Sequence, residues 1–156
     1  RAFALSGGGA KIINDITADW IFPMLMDIQI GTTSWKYINM TGISSIGIEF
    51  SKWLTRNVKT VQTKSCAFAD DGHHFCEGLE HPYACAVEQL NFMSTDIDKD
   101  MLANALRNTI TLKSFNLQEK RPGVSDGWWS TVMREGLAMN KSVEKCFLSG
   151  RYVSKA

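Results

Sequence analysis

The chain has little that would interrupt its elements or commit it to a special environment. Only 3 of its 156 residues are proline, so long regular elements are permitted. No apolar run reaches the ~18 residues that a membrane-spanning helix needs. The longest, Trp20 to Ile30, is broken by Pro23 and Asp27. Neither sign of charge is in excess: 17 basic residues face 16 acidic ones, for a net +1. Nothing global therefore attracts nucleic acid or a membrane surface. Cysteine is sparse, at four residues. That number makes no dense disulfide framework, and reduced, intracellular thiols are the expectation. No C-x-x-C or H-x-x-x-H spacing occurs, and no G-x-x-x-x-G-K-[ST] phosphate loop. A secretory signal is not expected, since residue 1 is Arg and the opening is glycine-rich. What remains is ordinary globular material, 44% hydrophobic and 21% charged, long enough for one domain with a core.

The most informative stretch is Val87 to Asn108. Val87, Leu90 and Phe92 are spaced L-x-x-L-x-L, Ile97 follows, and Met101 to Leu106 is apolar at helical spacing. The spacing predicts a short strand, a loop and a short helix that stops near Asn108. One such unit cannot bury its apolar side alone, so neighbours of the same kind are expected. Trp35, Ile38 and Met40 begin one, with Phe50, Trp53 and Leu54 as its helical face and Asn57 as its end. Val58 and Val61 begin another, followed by Cys66, Phe68, Asp70-Asp71-Gly72, Phe75, Cys76 and Leu79. Leu112, Phe115 and Leu117 begin a fourth, with Trp128, Val132, Met133 and Leu137 on its helix. Val143, Cys146 and Leu148 begin a fifth. Two echoes support the register: Glu77-Gly78-Leu79 recurs as Glu135-Gly136-Leu137, and Asp71-Gly72 recurs as Asp126-Gly127. Asn at the helix ends suits a left-handed terminal residue. Upstream, Phe3 and Leu5 read as the end of a strand and Ser6-Gly7-Gly8-Gly9 as a loop. Residues 16–30 read as partly helical, with a kink at Pro23.

With unit starts at 35, 58, 87, 112 and 143, the chain resembles the leucine-rich repeat family, whose repeats run to ~20–29 residues. The nearest pattern is its ribonuclease-inhibitor and tropomodulin-like subclass. The Asn-or-Cys turn position of that family is held here by Cys66, Thr95, Lys120 and Arg151, of which one matches. The resemblance implies a single α/β solenoid domain over residues 1–156, a horseshoe with a parallel sheet on the concave face and helices on the convex face. Residues 1–34 would be a divergent first repeat. It also implies polar caps at the ends, which this sequence lacks. The expectation is a piece of a longer solenoid or a subunit packed into an assembly.

Alternation along each strand assigns the residues between the apolar ones to the outer face. These are Lys36, Tyr37 and Asn39; Lys59, Thr60 and Gln62; Glu88, Gln89 and Asn91; Lys113, Ser114 and Asn116; Glu144, Lys145 and Phe147. They are the candidate partner-binding residues, mildly basic and including two aromatics. Trp128-Trp129 is a further contact candidate, and Lys120 to Gly123 reads as an exposed turn. The sharpest chemical cluster runs from Cys66 to Cys85 and holds Cys76, His73, His74 and His81 as well. Zinc favours such ligands, but the repeat explains the cysteines as packed and the histidines as solvated, so no metal ligand is assigned. Leu5 to Lys11 resembles the oxyanion loop of patatin-like hydrolases, with Ser44 in Gly42 to Gly47 as the nearest nucleophile, at the wrong spacing for a nucleophile elbow.

The function expected is therefore non-catalytic: a protein-binding or scaffold module and structural subunit of a multiprotein complex. No cofactor and no nucleic acid are expected. The compartment is intracellular, cytoplasmic or organellar, with a mitochondrial or cytoskeletal assembly among the settings. The alternatives are a zinc-bearing domain or enzyme using the Cys66–Cys85 cluster, or an extracellular repeat protein with sugar on Asn39 or Asn140, both in N-x-[ST] sequons.

Overall fold

The computed structural model describes residues 2–6, 35–119, 121 and 124–150. The glycine loop at 7–9, the helix expected within residues 16–30, and the turn positions Lys120 and Arg151 lie outside the described residues. The architecture is α/β. Six strands form one sheet, parallel throughout and in chain order: β1 (Ala2–Ser6), β2 (Trp35–Thr41), β3 (Val58–Lys64), β4 (Gln89–Met93), β5 (Ser114–Glu119) and β6 (Lys145–Gly150). Parallel neighbours need a crossover, and helices supply it: α1 (Ile48–Asn57), α2 (His73–Glu80), α3 (Lys99–Asn108) and α4 (Asp126–Ser130). No helix among the described residues is long and apolar enough to cross a membrane.

The apolar spacing sets the packing. Ile38, Val61, Leu90 and Phe115 lie side by side in the sheet, as do Met40, Thr63, Phe92 and Leu117. All eight are buried. Trp35, Val58, Val87 and Leu112 open their units and are buried as well. The helices answer from the same side with Phe50, Trp53, Leu54, Phe75, Leu79, Leu102 and Leu106, which join the strand residues in one core. Phe92 is central to it. Its ring meets Phe68 at 5.9 Å, Phe75 at 6.0 Å and Phe115 at 6.3 Å between centroids. Among the described residues, no helix covers the opposite strand face.

Each of β2, β3 and β4 ends in the same turn. Gly42, Ser65 and Ser94 adopt left-handed backbone, with φ of 66°, 52° and 47°. Their amides donate to the carbonyls of Lys64, Met93 and Gln118 in the next unit, each at 2.8–2.9 Å. The residues that follow, Ile43, Cys66 and Thr95, are buried. Cys66 Sγ donates to the carbonyls of Met40 and Lys64 at 3.4 and 3.3 Å. Thr95 Oγ1 bonds Thr63 Oγ1 at 2.5 Å and the Met93 carbonyl at 3.4 Å. Cys66 and Thr95 are thus small side chains that donate to backbone oxygen, whereas Ile43 fills the same position of the first turn with an apolar side chain.

The recurring Glu-Gly-Leu has a packing cause. A Cβ at Gly136 would stand 3.0 Å from Ala103 Cα and from its carbonyl oxygen on α3, and one at Gly78 would collide with Thr55 on α1. Both glycines let adjacent helices touch. Asp-Gly is not a second echo. Gly72 precedes α2 in left-handed backbone at φ 85°, whereas Gly127 lies inside α4 behind the Ser125 cap. After Ser130 the helix widens through a π segment, Thr131–Gly136, and then tightens into a 3-10 turn, Leu137–Met139. The wider turn rotates the helix face. Trp129, Val132 and Gly136 point inward, while Met133 is exposed and Trp128 and Leu137 are half-buried.

The helix-terminal asparagines act through side chains rather than left-handed backbone. Asn57 Nδ2 donates to the Trp53 carbonyl at 2.9 Å. Asn140 Nδ2 donates to the carbonyls of Leu106 and Thr109, and its Oδ1 accepts from the amides of Ser142 and Val143 at 2.7 and 2.6 Å. That nitrogen is the atom a sugar would need. Arg121 departs from the expected exposed turn. It folds back onto the buried Glu119 carboxylate at 2.7 Å, onto Asp96 at 3.4 Å and onto the Thr95 carbonyl at 3.1 Å.

Gly136→Ala and Gly78→Ala are each expected to lower the unfolding free energy by about 1–3 kcal/mol through overpacking, although Ala is the better helix former. Gly127→Ala, whose methyl would meet only Ser125 Oγ at 3.5 Å, should leave stability unchanged or slightly raised. Urea denaturation distinguishes the three, and a neutral Gly136→Ala would contradict close helix contact.

Arg121→Ala leaves the Glu119 carboxylate buried and without its cation. The expected loss is about 2–4 kcal/mol, and Arg121→Met with Glu119→Leu should recover much of it in the same measurement.

Candidate functional site

The open sheet face carries the sequence-predicted residues in aligned rows. Tyr37, Thr60, Gln89, Ser114 and Lys145 form one row, and Asn39, Gln62, Asn91, Asn116 and Phe147 form the next. A one-residue slip of any strand would send these groups into the core, so burial of the other face fixes the alignment. The second row begins with four side-chain amides and ends in Phe147, which is 56% exposed. Tyr37 donates from its hydroxyl to Gln62 Oε1 at 2.9 Å, and Gln89 Nε2 donates to Asn91 Oδ1 at 3.3 Å. Asn39 Oδ1 and Asn116 Oδ1 are shielded from solvent and accept no hydrogen bond among the described residues.

At the leading edge of the sheet, Lys36, Lys59, Glu88, Lys113 and Glu144 form a charged row and are exposed. Lys59 stands 3.6 Å from Glu88, and Lys113 stands 3.9 Å from Glu144. Such exposed pairs add little stability, but they cancel much of the basic lean expected from four lysines. On β6 the apolar alternation no longer produces burial: Cys146 is exposed and Leu148 half-buried.

The Cys66–Cys85 segment is divided by the fold. Cys66 lies in the buried turn, Cys76 in the core beneath α2, and Cys85 half-buried before β4, where it accepts from Thr111 Oγ1 at 3.3 Å. Burial raises all three thiols above their ordinary value. At Cys76 the carboxylates of Glu80 and Asp98 add to that rise, and at Cys85 the Thr111 hydroxyl partly offsets it. They are protonated at neutral pH and are poor nucleophiles and poor metal ligands. His81 is used locally, its Nδ1 accepting from the Ala84 amide at 3.1 Å.

A different set comes together at the start of α2. His73, His74 and Glu77 place ligand atoms within 4.8 Å of one another. His73 is exposed as expected, but the His74 side chain keeps only 23% of its surface. Glu77 is the third member of the set and lies outside the cysteine–histidine pattern of the segment. The signal was available in the spacing H-H-x-x-E, which places the carboxylate within one helical turn of both rings. Ser44 is exposed on the connection after β2, and α1 begins only at Ile48. That is not the strand–turn–helix of a nucleophile elbow.

Comparison with protein-family models, with curated proteins and with solved structures returned no match.

Thiol titration checks the burial assignment. Cys146 should react with an aromatic disulfide reagent in the native chain, and Cys66 and Cys76 only on unfolding. Their raised folded values also set a pH response. The folded chain keeps protons that the unfolded chain releases, so this stability is intact below the ordinary thiol value of 9.0 and is lost as the pH climbs above it. Denaturation midpoints measured across that range should fall, and a rise would contradict the burial.

Proposed function

We propose that the chain is a non-catalytic protein-binding module of leucine-rich-repeat type, a solenoid that presents its open sheet face to a protein partner inside a larger intracellular assembly. The observation that carries this reading is the amide row Asn39–Gln62–Asn91–Asn116. Its strands are aligned residue for residue, and the row contains two shielded carbonyl oxygens without donors among the described residues. Shielded acceptors of this kind cost free energy until a donor arrives, and a partner's N–H groups would supply it. Tyr37 and Phe147 flank the row as aromatic contacts, a residue type over-represented in binding hot spots. The repeat spacing, the parallel order and the repeated left-handed turns support the leucine-rich-repeat assignment.

The test is paired surface substitution. Gln62→Arg with Asn91→Arg alters the centre of the open face and is expected to weaken capture of a specific partner at least ~10-fold. Lys52→Glu on α1, in the helix layer, should leave it intact. A partner whose affinity is lost only with the α1 variant would remove the open face from the reading.

A further inference from the structure

The geometry points to a divalent transition-metal site formed by His73, His74 and Glu77 at the start of α2. It does not involve the sheet face and stands independently of the reading above.

His74 provides the main reason. Its Nε2 lies 3.4 Å from Asp70 Oδ2, and its Nδ1 lies 3.8 Å from Glu77 Oε2. With the Nε2 proton directed to Asp70, Nδ1 presents a lone pair toward a carboxylate. That nitrogen is shielded from solvent and makes no hydrogen bond among the described residues. Two electron-rich atoms facing one another across 3.8 Å are stabilised by a cation between them. A carboxylate on the far nitrogen of a metal-bound histidine is the usual outer-shell arrangement, because it fixes the tautomer and strengthens the donor. The turn that holds Asp70 is itself well defined, since Asp70, Asp71 and Gly72 are all left-handed and the Asp71 carbonyl accepts from the Asp98 amide at 2.9 Å.

The other two ligands can close on the same point. The His73 ring stands edge-on to His74 at 5.0 Å between centroids, and Glu77 keeps 70% of its side chain exposed. Both are free to shorten the present spread of up to 4.8 Å toward the ~3.5 Å between donors around a tetrahedral zinc ion. Two imidazoles and one carboxylate suit zinc, cobalt or nickel better than calcium or magnesium. Three protein ligands leave one position for water. His74 and Glu77 also line the cleft of about 390 Å³ between α1 and α2, together with Lys52 and Arg56.

The experiment uses the purified full chain, stripped with chelator and titrated with zinc by calorimetry and with cobalt by visible absorption. One equivalent of either metal should bind, and the cobalt spectrum should be tetrahedral without a thiolate charge-transfer band. Glu77→Gln and His73→Ala alter exposed side chains that the fold does not need, and each should weaken binding by about 100-fold. Asp70→Asn should weaken it by about 10-fold. Cys85→Ser with Cys146→Ser should bind normally. Absence of saturable one-to-one binding overturns the site, as does binding that survives Glu77→Gln and His73→Ala, or a cobalt–thiolate band.

Discussion

In-register parallel pairing is the constraint on which the rest of the structure depends. The partners Trp35 and Val58, Thr60 and Gln89, Gln89 and Ser114, and Ser114 and Lys145 set offsets of 23, 29, 25 and 31 residues. Whatever the length of a connection, the next strand returns to the same alignment. Apolar residues then fall in buried rows and amides in an open one. The left-handed turns at Gly42, Ser65 and Ser94 follow from the same constraint, because each must redirect the chain while its amide reaches the carbonyl of the next unit.

The strands and helix positions were legible in the sequence because apolar burial leaves a period. The spacing L-x-x-L-x-L gave offsets equal to the observed ones, and Asn57 and Asn108 end α1 and α3 as read. Features that rest on polar geometry were not legible. The fold-back of Arg121 onto Glu119 depends on a carboxylate buried at the end of β5, and a local reading of Lys-Arg-Pro-Gly suggests only an exposed turn. The π segment after α4 packs Gly136 against Ala103 on another helix, a contact with no local sequence signal. Asparagine does stand at the helix ends, but its side chain rather than left-handed backbone is the reason. Asn140 works with its side-chain amide, using all of its hydrogen-bonding capacity across a turn that joins α3 to the approach of β6.

Cysteine and histidine in one segment invite a single explanation, and the fold gives them two. The thiols of Cys66 and Cys76 are taken into the turn and the core, where burial raises them and removes their reactivity. The imidazoles of His73 and His74 remain on the helix layer beside Glu77. On the sheet face the same division occurs between rows: Met40, Phe92 and Leu117 are spent on the core, and Asn39, Asn91 and Asn116 are left available. Alternation along a strand is therefore what separates the core rows from the polar rows in this molecule.

The glycines at 78 and 136 have an effect beyond local fit. Helices pack ~8–10 Å apart, whereas strands lie ~4.8 Å apart. A layer of helices joined one per strand to a sheet is therefore wider than the sheet it covers. Where Gly78 meets Thr55 and Gly136 meets Ala103, the wider layer is narrowed. The spacing of neighbouring helices is then set unit by unit by the size of one helix residue. A methyl group added there would press two helices apart above strands whose separation the backbone hydrogen bonds hold fixed.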